Sequence, residues 1–91
     1  MPNFSVQYLK RAHKASIFHY AEVLRSELCV CFHCLAKFTP TEIEIWTDED
    51  DPRGKTAMCP ECGVDAVLSS LSGYPINERE FLKEMNRYFF S

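Results

Sequence analysis

Two Cys-x-x-Cys pairs constrain this chain more than any other feature. The first pair is Cys31 and Cys34, and the second pair is Cys59 and Cys62. Two cysteines separated by two residues can reach one ion from a tight turn, so two such pairs can complete a tetrahedral shell of thiolates. A closed shell is typical of structural sites, whereas a catalytic zinc keeps one position open for water. The spacing therefore predicts one structural Zn²⁺ held by all four cysteines.

The size of the chain makes such a site important for folding. Its 91 residues are interpreted as one zinc-binding domain, 1–91. A core of this size is marginally stable, and metal ligation is a common source of additional stability. The cysteine count is five, an odd number that does not suit a fully paired disulfide framework. In a reducing compartment, paired Cys-x-x-Cys motifs indicate metal binding.

Charge and hydropathy narrow the choice of partners. The net charge is −3, which argues against nucleic acid because phosphate neutralisation supplies most of a nucleic-acid binder's affinity. Lys10, Arg11, His13 and Lys14 do cluster, and they are interpreted as a solvated basic face. No apolar run approaches the roughly 20 residues that span a bilayer, and residues 1–6 do not resemble a signal peptide. We therefore expect a cytoplasmic protein with no membrane partner.

The first half of the chain predicts a helix, a knuckle and a hairpin. Residues 1–15 fit a strand or a helix equally, so this segment stays open. An apolar stripe then predicts a helix from Ser16, which could cap it; the stripe is formed by Ile17, Ala21, Leu24 and Leu28. Further strands or turns are predicted, in chain order, at residues 28–31, 37–38, 39–42, 43–46 and 55–59. The breaker-rich loop 48–54 would join the last two strands into a β-hairpin between the cysteine pairs.

After the second pair, the pattern predicts another helix. Val64, Val67, Leu68 and Leu71 share one helical face, and Gly73 could supply its left-handed end. A knuckle, a hairpin and a ligand pair running into a helix form the layout called a treble clef. The predicted fold is therefore a small α+β domain with a treble-clef-like zinc knuckle, a β-hairpin and flanking helices. Because rubredoxin has loops on both sides of its iron, this helix favours zinc over iron.

The last helix has the clearest sequence signals. Asn77 is its predicted N-cap, with Glu80 completing a capping box and Ile76 and Phe81 in the staple positions. An apolar face follows, formed by Phe81, Leu82, Met85, Tyr88 and Phe89. This face is interpreted as part of the core.

Other candidate ligands are assigned no metal role. Cys29 is interpreted as a small buried hydrophobe, because free cysteine is among the most buried residue types. His33 is expected to face outward as a surface residue, and the spacing of His13 and His19 does not place them on one helical face. The acidic run Asp48–Asp51 lacks the spaced oxygens of a calcium loop and is interpreted as a solvated hairpin tip.

Longer stretches of the chain carry a resemblance over roughly residues 16–90. The stretches are residues 26–34, 38–46, 56–67, 72–76 and 81–85. Together they resemble a family of small, uncharacterised bacterial cytoplasmic proteins with a zinc-finger-like centre of four cysteines, of treble-clef or rubredoxin-like type. The family tends to have Gly where Val30 stands and Trp-Phe where Phe89 and Phe90 stand. The resemblance implies metal binding and no particular activity.

Three functions follow from these observations. The favoured one is a non-enzymatic zinc-binding module that binds an unknown protein partner through aromatic residues, for which the candidates are Trp46, Tyr88, Phe89 and Phe90. A homodimer through the last helix is a further arrangement. The alternatives are a nucleic-acid-binding zinc finger and a rubredoxin-like electron carrier. A treble-clef nuclease would need a histidine beside a hydrated metal, and none follows His33.

Overall fold

The computed structural model describes residues 4–90 as three helices, a single 3-10 turn and five short strands. The helices are α1 (Val6–Lys14), α2 (Tyr20–Arg25) and α3 (Arg79–Phe90). The strands are β1 (Cys29–Cys31), β2 (Lys37–Phe38), β3 (Trp46–Thr47), β4 (Thr56–Ala57) and β5 (Val67–Ser69), with the 3-10 turn at Pro40–Glu42. The predicted α+β class is confirmed.

The central sheet has the order β2-β1-β5, and both pairings are antiparallel. Cys29 lies opposite Phe38 on one side and opposite Ser69 on the other. All of β1 and all of β5 are buried. Because β1 is hydrogen-bonded on both edges and buried on both faces, it is the rigid centre on which the first cysteine pair is built.

The hairpin predicted between the cysteine pairs is present but shorter than expected. β3 and β4 pair antiparallel, with Trp46 opposite Ala57 and Thr47 opposite Thr56. The strand predicted from Ile43 does not begin until Trp46, and Ile45 is 67% exposed. A capped 3-10 turn at Pro40–Glu42 precedes it, as the Thr-Pro sequence indicated.

The N-terminal segment, whose sequence fits either a strand or a helix, contains the helix α1 in its described part. Ser5 caps α1, since its Oγ accepts a hydrogen bond from the backbone N–H of Tyr8 at 3.1 Å. Leu9 and Ala12 are buried, so the helical spacing wins over the strand alternation. Residues 1–3 of this segment lie outside the described part of the chain.

The C-terminal helix packs on α1 through aromatic rings. Phe81 is fully buried, and its ring centroid lies 5.4 Å from that of Phe4 and 6.0 Å from that of Tyr8. Leu82 and Met85 are buried as predicted, whereas Tyr88 remains 42% exposed. α3 begins at Arg79, so Glu78 rather than the predicted Asn77 precedes the first helical residue.

The prediction that a helix begins at Ser16 is wrong. The Ser16 hydroxyl donates to the carbonyl oxygen of His13 and so helps to end α1, instead of capping a new helix. Phe18 then has a φ of 51°, a left-handed conformation that interrupts any helix, and α2 begins only at Tyr20. Leu24, predicted to face the core, is 52% exposed.

The helix predicted over residues 64–71 is also wrong. Residues 67–69 form β5, which completes the central sheet, and Leu71 is 52% exposed. A short apolar run suits a strand buried on both faces as well as it suits a helix, and pairing with β1 decides between them. The treble clef is therefore not confirmed, and the helix-based argument for zinc over iron no longer applies.

Candidate metal centre

The four paired cysteines come together as predicted. The sulfur atoms of Cys31, Cys34, Cys59 and Cys62 all lie within 4.8 Å of one another. The Cys31–Cys62 and Cys34–Cys59 Sγ distances are both 3.6 Å. A tetrahedron with metal–sulfur bonds of about 2.3 Å has sulfur–sulfur edges of about 3.8 Å. The donor set therefore fits one tetrahedral metal ion, and all four thiols are free.

The first cysteine pair is held in place by the end of β1. The backbone N–H of Leu35 donates to the carbonyl oxygen of Cys31 at 2.8 Å, and that of Cys31 donates to the carbonyl oxygen of Ala36 at 3.0 Å. Leu35 has a φ of 65°, which reverses the chain directly after Cys34. These bonds hold both sulfurs on the inner side of one turn.

The second cysteine pair repeats the same geometry. The N–H of Gly63 donates to the carbonyl oxygen of Cys59 at 2.9 Å, and that of Cys59 donates to the carbonyl oxygen of Val64 at 2.9 Å. Gly63 has a φ of 76° and occupies the position that Leu35 occupies in the first turn. The two knuckles are therefore equivalent in backbone geometry.

Backbone amides point at the sulfur atoms in both knuckles. The N–H of His33 donates to the Cys31 sulfur at 3.3 Å, and the N–H groups of Glu61 and Cys62 donate to the Cys59 sulfur at 3.3 and 3.4 Å. Such donors offset the negative charge of thiolates. The arrangement suits ligands that must be deprotonated to bind a metal.

The pKa values of the thiols differ with these surroundings. Burial raises the pKa of Cys31 far above its usual range, and burial also raises the pKa of Cys34. Burial pushes the pKa of Cys59 in the same direction, but hydrogen bonds with the backbone amides of Cys62 and Glu61 and with the Cys34 and Cys62 side chains together leave that pKa below its usual value. Cys59 is therefore better prepared than Cys31 or Cys34 to bind as a thiolate, and a bound cation would stabilise the thiolates of those two.

The end of α3 supports the first knuckle. Asn86 donates from Nδ2 to the carbonyl oxygen of His33 at 2.8 Å, and the His33 ring meets that of Phe90 edge-on at 4.6 Å. His33 is thus half-buried with its Nδ1 enclosed, which corrects the prediction of an outward-facing surface residue. Cys34 is exposed, so one edge of the site faces solvent. Asn86 carried no sequence signal for this role.

The fifth cysteine and the two N-terminal histidines, which are predicted to have no metal role, lie outside the cluster. Cys29 is fully buried, with its sulfur 3.6 Å from the Ser26 hydroxyl, as expected of a small core residue. The His13 ring packs against Phe89 at 4.5 Å. His19 is buried beside β5, where its ring contacts the backbone of Val67.

The acidic run lies at the tip of the hairpin, as predicted. Asp48 accepts a hydrogen bond from the hydroxyl of Thr56 at 2.8 Å, and Asp51 forms an ion pair with Arg53 at 2.9 Å. Among the described residues, the metal-compatible cluster comprises cysteines and no carboxylate. These aspartates therefore organise the loop.

Gly63 provides a clean test of the second knuckle. A Cβ at this position would meet no atom within 4 Å, so substitution introduces backbone strain without a clash. We expect Gly63→Ala to lower the free energy of unfolding by about 1 kcal/mol, because alanine disfavours a positive φ. Gly63→Asn should cost less, since asparagine tolerates this conformation. Urea denaturation of the metal-loaded proteins measures both; equal stability of all three would contradict the expectation.

His19 should make stability depend on pH. Its Nε2 lies 2.9 Å from the carbonyl oxygen of Val67 and so carries the proton, while Nδ1 is buried without a hydrogen-bond partner among the described residues. Burial lowers the pKa of His19 below its usual value. The unfolded state then binds the extra proton first, so stability falls as pH drops below about 6.5.

The slope should not exceed about 1.4 kcal/mol per pH unit for this one group. Urea denaturation of wild type and His19→Gln between pH values of about 7.5 and 6 separates the contribution of His19 from that of the thiols. Wild type should lose more stability than the variant. If the stabilities of the two proteins fell equally with pH, His19 would either stay neutral in the folded and unfolded states or become charged equally in both.

The comparisons with known proteins give no family assignment. No protein-family model matches the chain, and no curated protein or solved structure is significantly similar to it. The resemblance to small bacterial proteins therefore stays a prediction. Within residues 4–90, no helix is both long enough and apolar enough to cross a membrane.

Proposed function

We propose that this chain is a non-enzymatic module in which a structural Zn²⁺ holds a frame for binding another protein. The observation that carries the proposal is the set of four cysteine sulfurs within 4.8 Å of one another. Such a shell leaves no open coordination position, so the ion serves to hold the fold.

The location of the knuckles supports a structural role for the ion. The first knuckle continues from β1 at the centre of the main sheet, and the second lies between the hairpin strand β4 and β5. One ion would therefore cross-link the main sheet to the hairpin. These strands are only two or three residues long, so their pairing alone contributes little stability.

The surface near α3 supports protein binding. Of the four aromatic candidates, Tyr88 and Phe90 are each 42% exposed, whereas Trp46 packs edge-on against Tyr20 at 4.8 Å and Phe89 is half-buried. Exposed aromatic side chains are enriched at protein interfaces. The net charge of −3 does not favour nucleic acid.

A paired variant tests this proposal. Tyr88→Ser with Phe90→Ser should retain one zinc per chain, because neither residue is a ligand and the Asn86 bond to His33 remains. The variant should lose proteins that the wild type captures from the native host. The matched control is Leu24→Ser with Leu71→Ser, because both leucines are 52% exposed and lie away from α3 in sequence. If the Tyr88 and Phe90 variant still captures the same proteins, this surface is not the binding site. Duplex DNA binding below about micromolar at physiological salt would favour the nucleic-acid-binding alternative.

A rubredoxin-like electron carrier is the second candidate, and one observation favours it. The two knuckles are equivalent, and in the described chain the second is followed by a strand where a helix was expected. Zinc is redox-inactive, whereas iron bound by four thiolates can carry one electron. Protein purified in air should be colourless if the zinc proposal holds. Visible absorption that is lost on reduction and returns on oxidation would instead support the electron-carrier function.

A further inference from the structure

A groove with two cationic side chains lies between the first knuckle and the start of α3. We call it the cationic groove; its lining residues are Leu35, Lys37, Asn77, Arg79 and Leu82. Its volume is about 330 Å³, close to the lower end for sites that hold a ligand. Leu82 is buried and Leu35 is half-buried, so apolar walls lie below exposed polar groups.

The charges of this groove are unbalanced. No acidic residue lines it, although the chain as a whole carries a net charge of −3. The ion pairs seen across residues 4–90 are Arg53 with Asp51 and Arg87 with Glu84. Neither Lys37 nor Arg79 takes part in an ion pair within that range. Two cationic side chains thus line an apolar groove, and no carboxylate of the described chain lines it with them.

The metal site fixes one wall of this groove. Leu35 follows Cys34 directly, and its N–H is bonded to the carbonyl oxygen of Cys31. Lys37 begins β2, which pairs with β1. The opposite wall comes from the first turn of α3, where Leu82 packs into the core. A groove built on these elements is preformed, so an occupant would not have to order it.

We propose that the cationic groove binds an acidic segment of the partner protein in which aspartate and glutamate residues are interspersed with leucine-like residues. The inference rests on the proposed protein-binding function and names the chemistry of the partner. Carboxylates would meet Lys37 and Arg79, and an apolar side chain would lie between Leu35 and Leu82. The apolar walls favour such a peptide over a bare inorganic anion, which would gain nothing from them.

Amide chemical-shift mapping of the zinc-loaded full chain tests the proposal. The probe is the peptide acetyl-Leu-Asp-Glu-Leu-Glu-amide, and the control peptide is acetyl-Leu-Asn-Gln-Leu-Gln-amide. The acidic peptide should shift the amides of residues 35–37 and 77–82 with a dissociation constant of about 1 mM or tighter. The neutral peptide should bind at least about fivefold more weakly, since it lacks the charge-assisted contacts.

Charge-reversal variants make the assignment specific. Lys37→Glu with Arg79→Glu should abolish the shifts, whereas Lys10→Glu with Lys14→Glu makes the same charge change on exposed positions of α1 and should preserve them. No shift in wild type, or equal loss in both variants, would overturn the proposal. Equal shifts with inorganic phosphate, or groove shifts that appear on raising protein concentration alone, would overturn it in favour of anion binding or self-association.

The outcome for the groove is distinguishable from the outcome for the proposed function. If the acidic peptide fails but the Tyr88 and Phe90 variant still loses its partner, the groove proposal alone is wrong. If the peptide binds the groove but no partner depends on Tyr88 and Phe90, the partner surface lies at the groove instead of at the end of α3. Peptide binding to chain without metal would contradict the role of the knuckle in shaping the groove.

Discussion

Cys59→Ser is expected to abolish metal binding and to leave an expanded or aggregating chain. The Cys59 sulfur accepts two backbone N–H bonds and lies 3.6 Å from that of Cys34, inside the cluster. Structural zinc in small peptides supplies about 10–16 kcal/mol of binding free energy. That is as large as the whole stability of a typical domain, about 5–15 kcal/mol. Losing one of four ligands should therefore exceed what this small core can tolerate.

Amide dispersion in a two-dimensional NMR spectrum, recorded with zinc present, measures this effect. Cys29→Ala is the matched control, because Cys29 is also fully buried but its sulfur lies outside the cluster. The control should keep one zinc and a dispersed spectrum, with a cost of about 1 kcal/mol from the small cavity. A dispersed spectrum for Cys59→Ser would show that the core folds without a complete ligand set.

Phe81→Ala should be the most damaging substitution away from the metal. Phe81 is fully buried and contacts the rings of Phe4, Tyr8 and Tyr74, so its removal opens a cavity between α1 and α3. Large-to-small changes of this kind cost about 3–5 kcal/mol. Urea denaturation of the metal-loaded protein should show the loss as a lower midpoint with an unchanged slope.

Tyr88→Ala is the matched control for that measurement. Tyr88 lies on the same helix and is also aromatic, but it is 42% exposed, so its loss should cost about 1 kcal/mol or less. Both variants should bind one zinc, because neither residue belongs to the cysteine cluster. Similar midpoints for the two variants would mean that α3 does not anchor on α1 through Phe81.

The clustering of the four cysteines could be predicted from the sequence because its chemistry is local. Two cysteines in each turn determine that the donor atoms are sulfurs and that both can contact one ion. The hairpin between the pairs brings the two turns together. The second turn also carried a signal in Gly63, which stands where a positive φ is needed. Leu35 takes the same conformation in the first turn without being glycine or asparagine, so no residue type indicated it in advance.

The element after the second pair could not be predicted from its pattern. Residues 64–71 contain apolar positions that fit a helical face, yet Val67 and Leu68 are neighbouring residues of a strand and both are buried. Pairing with the edge of β1, which lies far away in the sequence, makes this segment a strand instead of a helix. Ser16 also fits the sequence pattern of a helix cap, but the left-handed conformation of Phe18 separates α1 from α2.

Cys31, Cys34, Cys59 and Cys62 are proposed to hold one zinc ion together. X-ray absorption at the metal edge, combined with elemental analysis of protein purified without chelators, measures both the ligand shell and the metal content. We expect one zinc per chain and a shell of four sulfur atoms at about 2.3 Å. A nitrogen or oxygen atom in the shell, or less than about half an equivalent of bound metal, would contradict it.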